Sequence, residues 1–229
     1  MIENETIRST FVDDILQVTN DSAHLKDIAT GKYLNSNQEN LKKFAFTKPS
    51  QIIGLTMWDL NCFMAKFWGD KLAIEVDQLE RRVQQTGQRA LDQRAFLSID
   101  GTVWVHDMVK IPVFNSKDIV SGIFTISKNI TNKYNLIKLC KLYKQFYPNN
   151  KKVAISKFLE QINILNCFYE MPTESELNIL LVRQRNPSSK GISNILNISP
   201  RTVEGHLSKL RMKSKIDLPS LISMICVVE

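Results

Sequence analysis

The side chains best suited to chemistry lie near the C-terminus, in a basic and polar stretch that runs from Pro200 to Lys213. Lysine and arginine neutralise phosphates, while serine, threonine and amide groups form hydrogen bonds with phosphate oxygens and base edges. Apolar residues recur in this stretch at helical spacing, with Val203, Leu207 and Leu210 on one side. The pattern predicts a helix that buries one face and presents cationic and polar side chains to a nucleic acid.

Capping signals divide the surrounding sequence into three helices. Thr173 and Glu176 form a capping box at the start of the first helix. Ser188 begins a short second helix, and the turn Asn197–Ser199 leads into the third, which Pro200 opens. Two short helices joined by a tight turn can place the second one in the major groove of duplex DNA.

The excess positive charge lies in the same part of the chain. The formal net charge is +7, with a hydrophobic fraction of 43% that is large enough for packed cores. Residues 132–229 contain 15 Lys/Arg and 7 Asp/Glu, whereas residues 1–131 contain 15 and 16. This asymmetry is expected if the C-terminal part alone contacts a polyanion.

The sequence gives little support to other chemistries. Cys62, Cys140, Cys167 and Cys226 are far apart and lack a histidine cluster, so we expect free thiols and no metal site. No apolar run is long enough to cross a bilayer, and the N-terminus lacks an apolar signal core. No nucleophile–base pair or phosphate loop is apparent. We therefore expect a cytoplasmic protein that is not an enzyme, without a membrane partner.

The N-terminal half predicts a mixed α/β domain. Short strands are expected at His24–Asp27 and Lys32–Asn35, followed by short helices. A long helix comes next, because apolar residues recur with helical spacing until Gly87 can end it. These apolar residues are Leu72, Val76, Leu79 and Val83.

The pattern then changes to a period of two, which is typical of strands. The valine-rich side of the alternation comprises Val103, Val105, Val109, Ile111 and Val113. The other side comprises Trp104, His106, Met108 and Lys110. Turn residues at Asn115–Asp118 precede a further strand at Ile119–Ser127.

This N-terminal sequence resembles PAS sensor domains over about 110 residues. The residues that carry the resemblance are His24-Leu25-Lys26-Asp27, Gly31-Lys32-Tyr33-Leu34-Asn35, Ile53-Gly54-Leu55-Thr56, Asp100-Gly101, Trp104, Lys110-x-Pro112, Gly122-Ile123-Phe124 and Asn129-Ile130-Thr131. Asn129 occupies a position where the family usually has Asp.

The PAS resemblance implies an apolar ligand pocket on the concave side of the sheet. Candidate lining residues are Phe44, Phe46, Trp58, Phe63 and Trp104, with Met108 behind them. Each of these also suits a plain core position. No cofactor is predicted, although an unknown small-molecule ligand is compatible with such a pocket.

The C-terminal sequence is similar to the LuxR/GerE-type helix-turn-helix. The matching residues are Thr173, Glu176, Ile179-Leu180, Ser188, Lys190, Ile192, Leu196, Ile198-Ser199, Thr202-Val203, His206-Leu207 and Lys213. The resemblance implies groove-facing positions at Pro200, Arg201, Glu204, Gly205, Ser208 and Lys209. It implies DNA-backbone contacts at Lys190, Thr202 and Lys213.

The candidate DNA contacts taken together are Lys190, Ser199, Arg201, Thr202, Glu204, Gly205, His206, Ser208, Lys209 and Lys213. His206 either contacts DNA or only packs or caps. Gly205 either lets the backbone approach DNA closely or weakens the helix, since glycine costs about 0.5–1 kcal/mol relative to alanine. Ser175, Asn186, Gly191 and Ser214-Lys215 depart from the family pattern.

Two competing classes remain at this stage. Asp13-Asp14, Asp59 and Lys110-x-Pro112 imitate the acidic pair, the phosphorylated aspartate and the Lys-Pro of a response-regulator receiver. Against a receiver, residues 89–128 predict consecutive strands where a receiver would alternate strands and helices.

A flavin or haem sensor is the second competing class. Asn61-Cys62 imitates the flavin-reactive cysteine of LOV domains, but Cys62 suits a small buried hydrophobe better. His106 could ligate haem, although a half-buried surface histidine is the simpler interpretation.

The sequence thus predicts an α+β chain: an N-terminal helical extension at 1–19, a PAS-like antiparallel sheet with flanking helices at 20–131, a helical connector at 132–170 and an all-α LuxR-type domain at 171–229. The connector either packs on its neighbours or dimerises. We expect a bacterial, homodimeric transcription regulator that binds double-stranded DNA under the control of a sensed signal.

Overall fold

The structure is a computed structural model that describes residues 11–68 and 72–226, without the side chains of residues 63–68 and 226. The chain divides after Ile130 into two compact units, Met1–Ile130 and Thr131–Glu229. The first ten residues of the predicted N-terminal extension lie outside the described residues. A helix, α1, occupies residues 11–18.

The N-terminal unit is built on an antiparallel sheet of five strands. They are β1 (Ser22–Asp27), β2 (Tyr33–Ser36), β3 (Ala90–Leu97), β4 (Val103–Phe114) and β5 (Val120–Asn129). The order across the sheet is β2-β1-β5-β4-β3. Neighbouring strands in this order pair antiparallel, whereas a receiver requires a parallel sheet with alternating helices. The receiver alternative is therefore excluded.

Turn chemistry determines where the strands reverse. Gly31 has a φ of +69° at the β1–β2 turn, and Gly101 has a φ of +82° between β3 and β4. Glycine adopts this left-handed conformation without the steric cost that a Cβ imposes. The predicted strands at residues 24–27, 32–35 and 119–127 correspond to β1, β2 and β5, with ends shifted by one or two residues.

Helices cover both faces of the sheet. Between β2 and β3 lie α2 (Gln38–Lys42), a 3₁₀ turn at Pro49–Gln51, α3 (Met57–Trp68) and α4 (Leu72–Thr86). One core beside these helices contains the buried residues Tyr33, Leu41, Phe44, Ile52, Leu60 and Phe96. A second core, which includes residues of α1, contains Val12, Leu16, Ala23 and Phe124. The sheet with its flanking helices confirms the predicted α+β class.

The C-terminal unit is helical. Its helices are α5 (Leu136–Phe146), α6 (Lys151–Gln161), α7 (Glu174–Arg183), α8 (Ser189–Leu196), α9 (Pro200–Lys213) and α10 (Leu218–Cys226). The connector helices α5 and α6 pack together, with the ring of Tyr143 edge-on to Phe158 at 5.9 Å. Lys144 of α5 also pairs with Glu174 of α7 at 2.8 Å. These contacts favour the interpretation that the connector packs on its neighbours.

Hydropathy along the helices gives no candidate for a transmembrane segment. Within residues 11–68 and 72–226, no helix combines the length and apolar character needed to cross a bilayer.

Candidate nucleic-acid interface and interior pocket

The turn between α8 and α9 is fixed by local capping groups. Ser188 Oγ accepts a hydrogen bond from the Gly191 backbone N–H at 3.1 Å, which caps α8. Asn197 ends that helix in the left-handed conformation, with a φ of 53°. Ser199 Oγ then caps α9 by accepting from the Thr202 backbone N–H at 3.0 Å. Ser188 and Ser199, the capping residues from which the helix-turn-helix was predicted, therefore do cap α8 and α9 in the structure.

One face of α9 is buried against α7 and α8. Val203, Leu207 and Leu210 are each 0% exposed, as their spacing predicts. The opposite face carries exposed residues, among which are Arg201, Thr202, Glu204, Gly205, Ser208, Lys209 and Arg211. The helix thus anchors itself with its apolar side and leaves a polar and cationic side in solvent.

Several candidate contacts on this exposed side are also used within the protein. Ser199 Oγ lies 2.8 Å from Thr202 Oγ1. Glu204 Oε1 accepts a hydrogen bond from the Ser189 hydroxyl and so links α9 to α8.

The position of Gly205 on the exposed side of α9 is open. A Cβ added at Gly205 would meet no atom within 4 Å.

Arg201, Ser208 and Lys209 stand apart from these internally bonded residues. In the part of the chain that the structure describes, no carboxylate pairs with Arg201 or Lys209. Lys190, at the start of α8, is exposed as well. These side chains are therefore available as donors on the surface.

Lys213 is paired with two carboxylates within the protein. Its ammonium lies 2.9 Å from Glu170 Oε1 and 3.1 Å from Glu176 Oε2, and its side chain is 14% exposed. The hydrogen bond to Glu170, supported by Glu176, raises the pKa of Lys213. Lys213 therefore ties α9 to the start of α7, an engagement that local sequence patterns do not reveal.

His206 is half-buried, and its Nδ1 is buried without a hydrogen-bond partner among the described residues. The structure thus places His206 between the buried and the exposed side of α9. The alternatives of packing and DNA contact for His206 stay predictions.

Replacing Ser199 with alanine is expected to lower the free energy of unfolding of the C-terminal unit by about 1 kcal/mol, because the first turn of α9 loses its cap. Urea denaturation followed by circular dichroism measures this change. Ser208→Ala is the matched control, since Ser208 is exposed, and its effect should stay within about 0.5 kcal/mol. Equal stabilities of the two variants would contradict the capping role.

The N-terminal unit contains a cavity of about 60 Å³ that is partly open to solvent. Its apolar lining consists of Phe44, Met57, Leu72, Val76, Phe96 and Met108. Its polar lining consists of His24, Tyr33, Asn40, Lys43, Glu80, Arg94, Lys110, Thr125 and Ser127. Phe44 and Met108 are thus the predicted pocket residues that line this cavity.

Phe46, Trp58 and Trp104 do not line this cavity. Phe46 and Trp104 pack against the core beside the cavity, with the Trp104 ring edge-on to Phe96 at 5.8 Å. Trp58 is 50% exposed and borders a separate cavity of about 340 Å³ that also contacts Thr30 and Arg81. It lies there because the neighbouring position Leu60 supplies the buried face of α3. The Phe63 side chain lies outside the described residues.

The cavity contains buried charges that the sequence interpretation missed. Glu80 accepts from Lys26 Nζ at 2.8 Å and from Lys110 Nζ at 2.7 Å. Burial raises the pKa of Glu80, but Lys110 and Lys26 together outweigh burial and hold that pKa below its usual range. Helical spacing contained a usable signal, because Glu80 follows Val76 by four residues and precedes Val83 by three, on their buried face.

Two sequence interpretations in this unit were wrong. His106 is 2% exposed rather than a half-buried surface residue, with its ring stacked 5.8 Å from Trp104 and Nδ1 2.7 Å from Ser127 Oγ. Burial lowers the pKa of His106 to about 3, so the imidazole is neutral. Cys62 is exposed rather than buried, because it lies on the solvent side of α3.

Metal and receiver chemistry find no support in these positions. Among the residues whose placement is described, no group of His, Cys, Asp and Glu side chains could hold a metal ion. Asp59 Oδ2 accepts from the Thr56 backbone N–H and hydroxyl, both at 2.7 Å, and thus stabilises the start of α3.

Residues 173–228 match the family model of GerE, bacterial regulatory proteins of the luxR family. The VqmA–ligand–DNA complex of Vibrio cholerae is similar to this chain with a TM-score of 0.52 and 19% identity, covering 92% of this chain and 83% of that one. A phage VqmA–DPO complex is 20% identical, with a TM-score of 0.48 and coverages of 98% and 88%. The PAS domain of an HTR-like protein from Haloarcula marismortui is 14% identical over 56% of this chain and 96% of that one, with a TM-score of 0.40.

No curated protein matches the chain. Fold and family match together define the class: a five-stranded antiparallel α+β domain precedes a LuxR-type helix-turn-helix domain. The family match confirms the predicted LuxR-type resemblance, and the sheet confirms the predicted antiparallel α+β fold.

Proposed function

We propose that the protein is a transcription regulator that reads DNA with α9 and is controlled by a small molecule held in its PAS-like domain. The observation that carries the proposal is the exposed face of α9, where Arg201, Ser208 and Lys209 have no acidic partner among the described residues. Such side chains contact guanine edges and phosphates in a major groove. Binding to DNA, rather than catalysis, is the proposed activity.

The two domains support separate halves of this proposal. The LuxR-type match supplies the DNA-binding half. The cavity of about 60 Å³ supplies a place for the ligand, and the similar protein from Vibrio cholerae is a complex with both ligand and DNA. We propose no resident cofactor or metal.

The candidate contacts fall into three groups. Arg201 and Lys209 reach both base edges and phosphates, and Ser208 reads base edges, with Gly205 leaving space beside them. Lys190 and Thr202 contact the DNA backbone. Ser199, Glu204 and Lys213 hold α9 in place, since each is already bonded within the protein.

A homodimer is the proposed functional state. Helix-turn-helix dimers place two recognition helices in successive turns of the major groove, about 34–36 Å apart. Ligand binding would act by changing the geometry of the two copies. Since the proposed target is double-stranded DNA, the proposed site of action is the bacterial cytoplasm.

The test is the dependence of DNA binding on salt. If each of two copies brings Lys190, Arg201 and Lys209 to phosphates, the slope of log K against log salt should be about −5. Affinity should then fall on the order of 10³-fold between 50 and 200 mM salt. Fluorescence anisotropy with DNA selected from a random pool by the wild-type protein measures the slope.

Two variants sharpen this measurement. Lys190→Ala should make the slope shallower by about 1 for each copy on the DNA. Lys141→Ala, which removes an exposed charge on α5, should leave the slope unchanged. Affinity that does not respond to salt would reject the proposed interface.

A further inference from the structure

The cavity of the PAS-like domain holds more positive than negative charge. Lys26, Lys43 and Lys110 are 2%, 7% and 3% exposed. Lys43 and Lys110 line the cavity, and Lys26 pairs with Glu80, which also lines it. Glu80 is the carboxylate that lines the cavity, and it bridges Lys26 and Lys110. One carboxylate cannot balance three ammonium groups.

Lys43 is the lysine without a counter-charge. Its Nζ donates to Ser127 Oγ at 3.2 Å and lies 5.7 Å from the centroid of the Phe96 ring. Within the described residues, no carboxylate pairs with it. A buried, unpaired ammonium is costly, and an anion beside it would offset that cost. Burial, with a contribution from Lys110, lowers the pKa of Lys43 to about 7, so the site responds readily to an added negative charge.

A second polar atom is also unsatisfied at this wall. His24 lines the cavity, and its Nδ1 is buried without a hydrogen-bond partner in the described structure. Asn40, Thr125 and Ser127 add further hydrogen-bonding groups to the same lining. The wall that carries Lys43 is therefore rich in donors and poor in negative charge.

The remaining lining is apolar and the space is small. Phe44, Met57, Leu72, Val76 and Phe96 are the side chains that would contact an apolar group. A cavity of about 60 Å³ has room for roughly four to six waters. An occupant thus has a few heavy atoms, with one charged end and one apolar end.

We propose that the cavity binds a small amphiphilic organic anion, a short-chain carboxylate, with its carboxylate on Lys43 and its apolar end against Phe44 and Val76. This inference rests on the proposed function, because it names the ligand class for the proposed sensor cavity. A free inorganic anion would leave the apolar wall without a partner, and a neutral ligand would leave Lys43 without a counter-charge.

The experiment compares carboxylates with their neutral amides on the full-length protein. Acetate, propionate and butyrate are titrated beside acetamide, propionamide and butyramide by calorimetry, at constant ionic strength and pH 6.5. We expect each carboxylate to bind about tenfold more tightly than its amide, since charge-assisted hydrogen bonds are stronger than neutral ones. Equal affinities, or no binding by any member of the series, would overturn the proposal.

Lys43→Met removes the charge and keeps the length of the side chain. This variant should lose the preference for carboxylates, and its thermal midpoint without ligand should rise because an unpaired buried charge is gone. Lys48→Met, at an exposed position of the same segment, should keep the wild-type preference. If Lys43→Met still bound carboxylates more tightly than amides, the carboxylate would bind a group other than Lys43, and the proposal would be wrong.

A measurement on the wild-type protein does not depend on the folding of any variant. Propionate affinity should fall as pH rises from 6 to 8, while propionamide affinity stays constant. The other charged or titratable side chains at or beside the cavity should not produce this pH dependence. Burial keeps the pKa values of His24 and His106 below this range. Glu80 is paired with Lys26 and Lys110, and Arg94 is paired with Asp92. A propionate affinity that does not change with pH would count against Lys43 as the anion partner. The proposed DNA binding by α9 is tested separately, by its salt dependence.

Discussion

Replacing Arg201 and Lys209 together with alanine is expected to reduce affinity for the selected DNA about a hundredfold or more, with the fold unchanged. Each cationic side chain at a base edge contributes about 1–3 kcal/mol. The two residues are eight positions apart, or about 12 Å along α9, so their contributions should nearly add. Both are exposed, which is why their removal should leave the packing of Val203, Leu207 and Leu210 intact.

The control for this double variant removes two charges from another surface of the same unit. Lys141 and Lys152 are exposed on α5 and α6, and the double alanine variant should bind the selected DNA within about threefold of wild type, since exposed charges away from the duplex are screened. Anisotropy with matched and scrambled DNA separates specific from non-specific binding. Undiminished specific binding by Arg201→Ala/Lys209→Ala would show that α9 is not the reading helix.

Replacing Glu80 with glutamine should lower the free energy of unfolding of the N-terminal unit by about 3–5 kcal/mol at pH 7. The substitution preserves volume but leaves Lys26 and Lys110 as buried ammonium groups without a carboxylate. Glu75→Gln, at an exposed position of the same helix, should change stability by less than about 1 kcal/mol. Urea denaturation monitored by tryptophan fluorescence measures both variants.

The same pair of proteins gives a pH test. Because the pKa of Glu80 is lower in the folded state than its unfolded value of 4.5, its contribution to stability is fully present above pH 4.5 and is lost as pH falls through the folded pKa. The stability difference between wild type and Glu80→Gln should therefore shrink in acid. A constant difference from pH 7 to pH 3, or none at pH 7, would contradict the buried ion cluster.

Local patterns were sufficient for the helix-turn-helix. Caps at Ser188 and Ser199, the left-handed Asn197 and the apolar spacing of α9 are encoded within a few residues of the elements they define. The strand alternation of β4 was equally local, and its side with Trp104 and Met108 does face the core and cavity. Predictions succeeded where cause and effect are close in sequence.

Long-range partners were not predictable in the same way. Glu80 meets Lys26 and Lys110 across 54 and 30 residues of sequence, and only the folded sheet brings them together. Lys213 likewise meets Glu176 across 37 residues. A lysine in a sequence normally predicts a solvent-exposed side chain, because a lysine is rarely buried without a specific partner. That partner can be identified only from the folded structure.

Gly205 has a consequence for how this protein can change over evolutionary time. Its position on the exposed face of α9 has open space where a side chain would begin, so larger residues can be added there without disturbing the interior. Alanine and most other residues also favour a helix more than glycine does. Selection on binding preference can therefore act at this position almost independently of selection on folding, which makes it a natural point of divergence between related proteins.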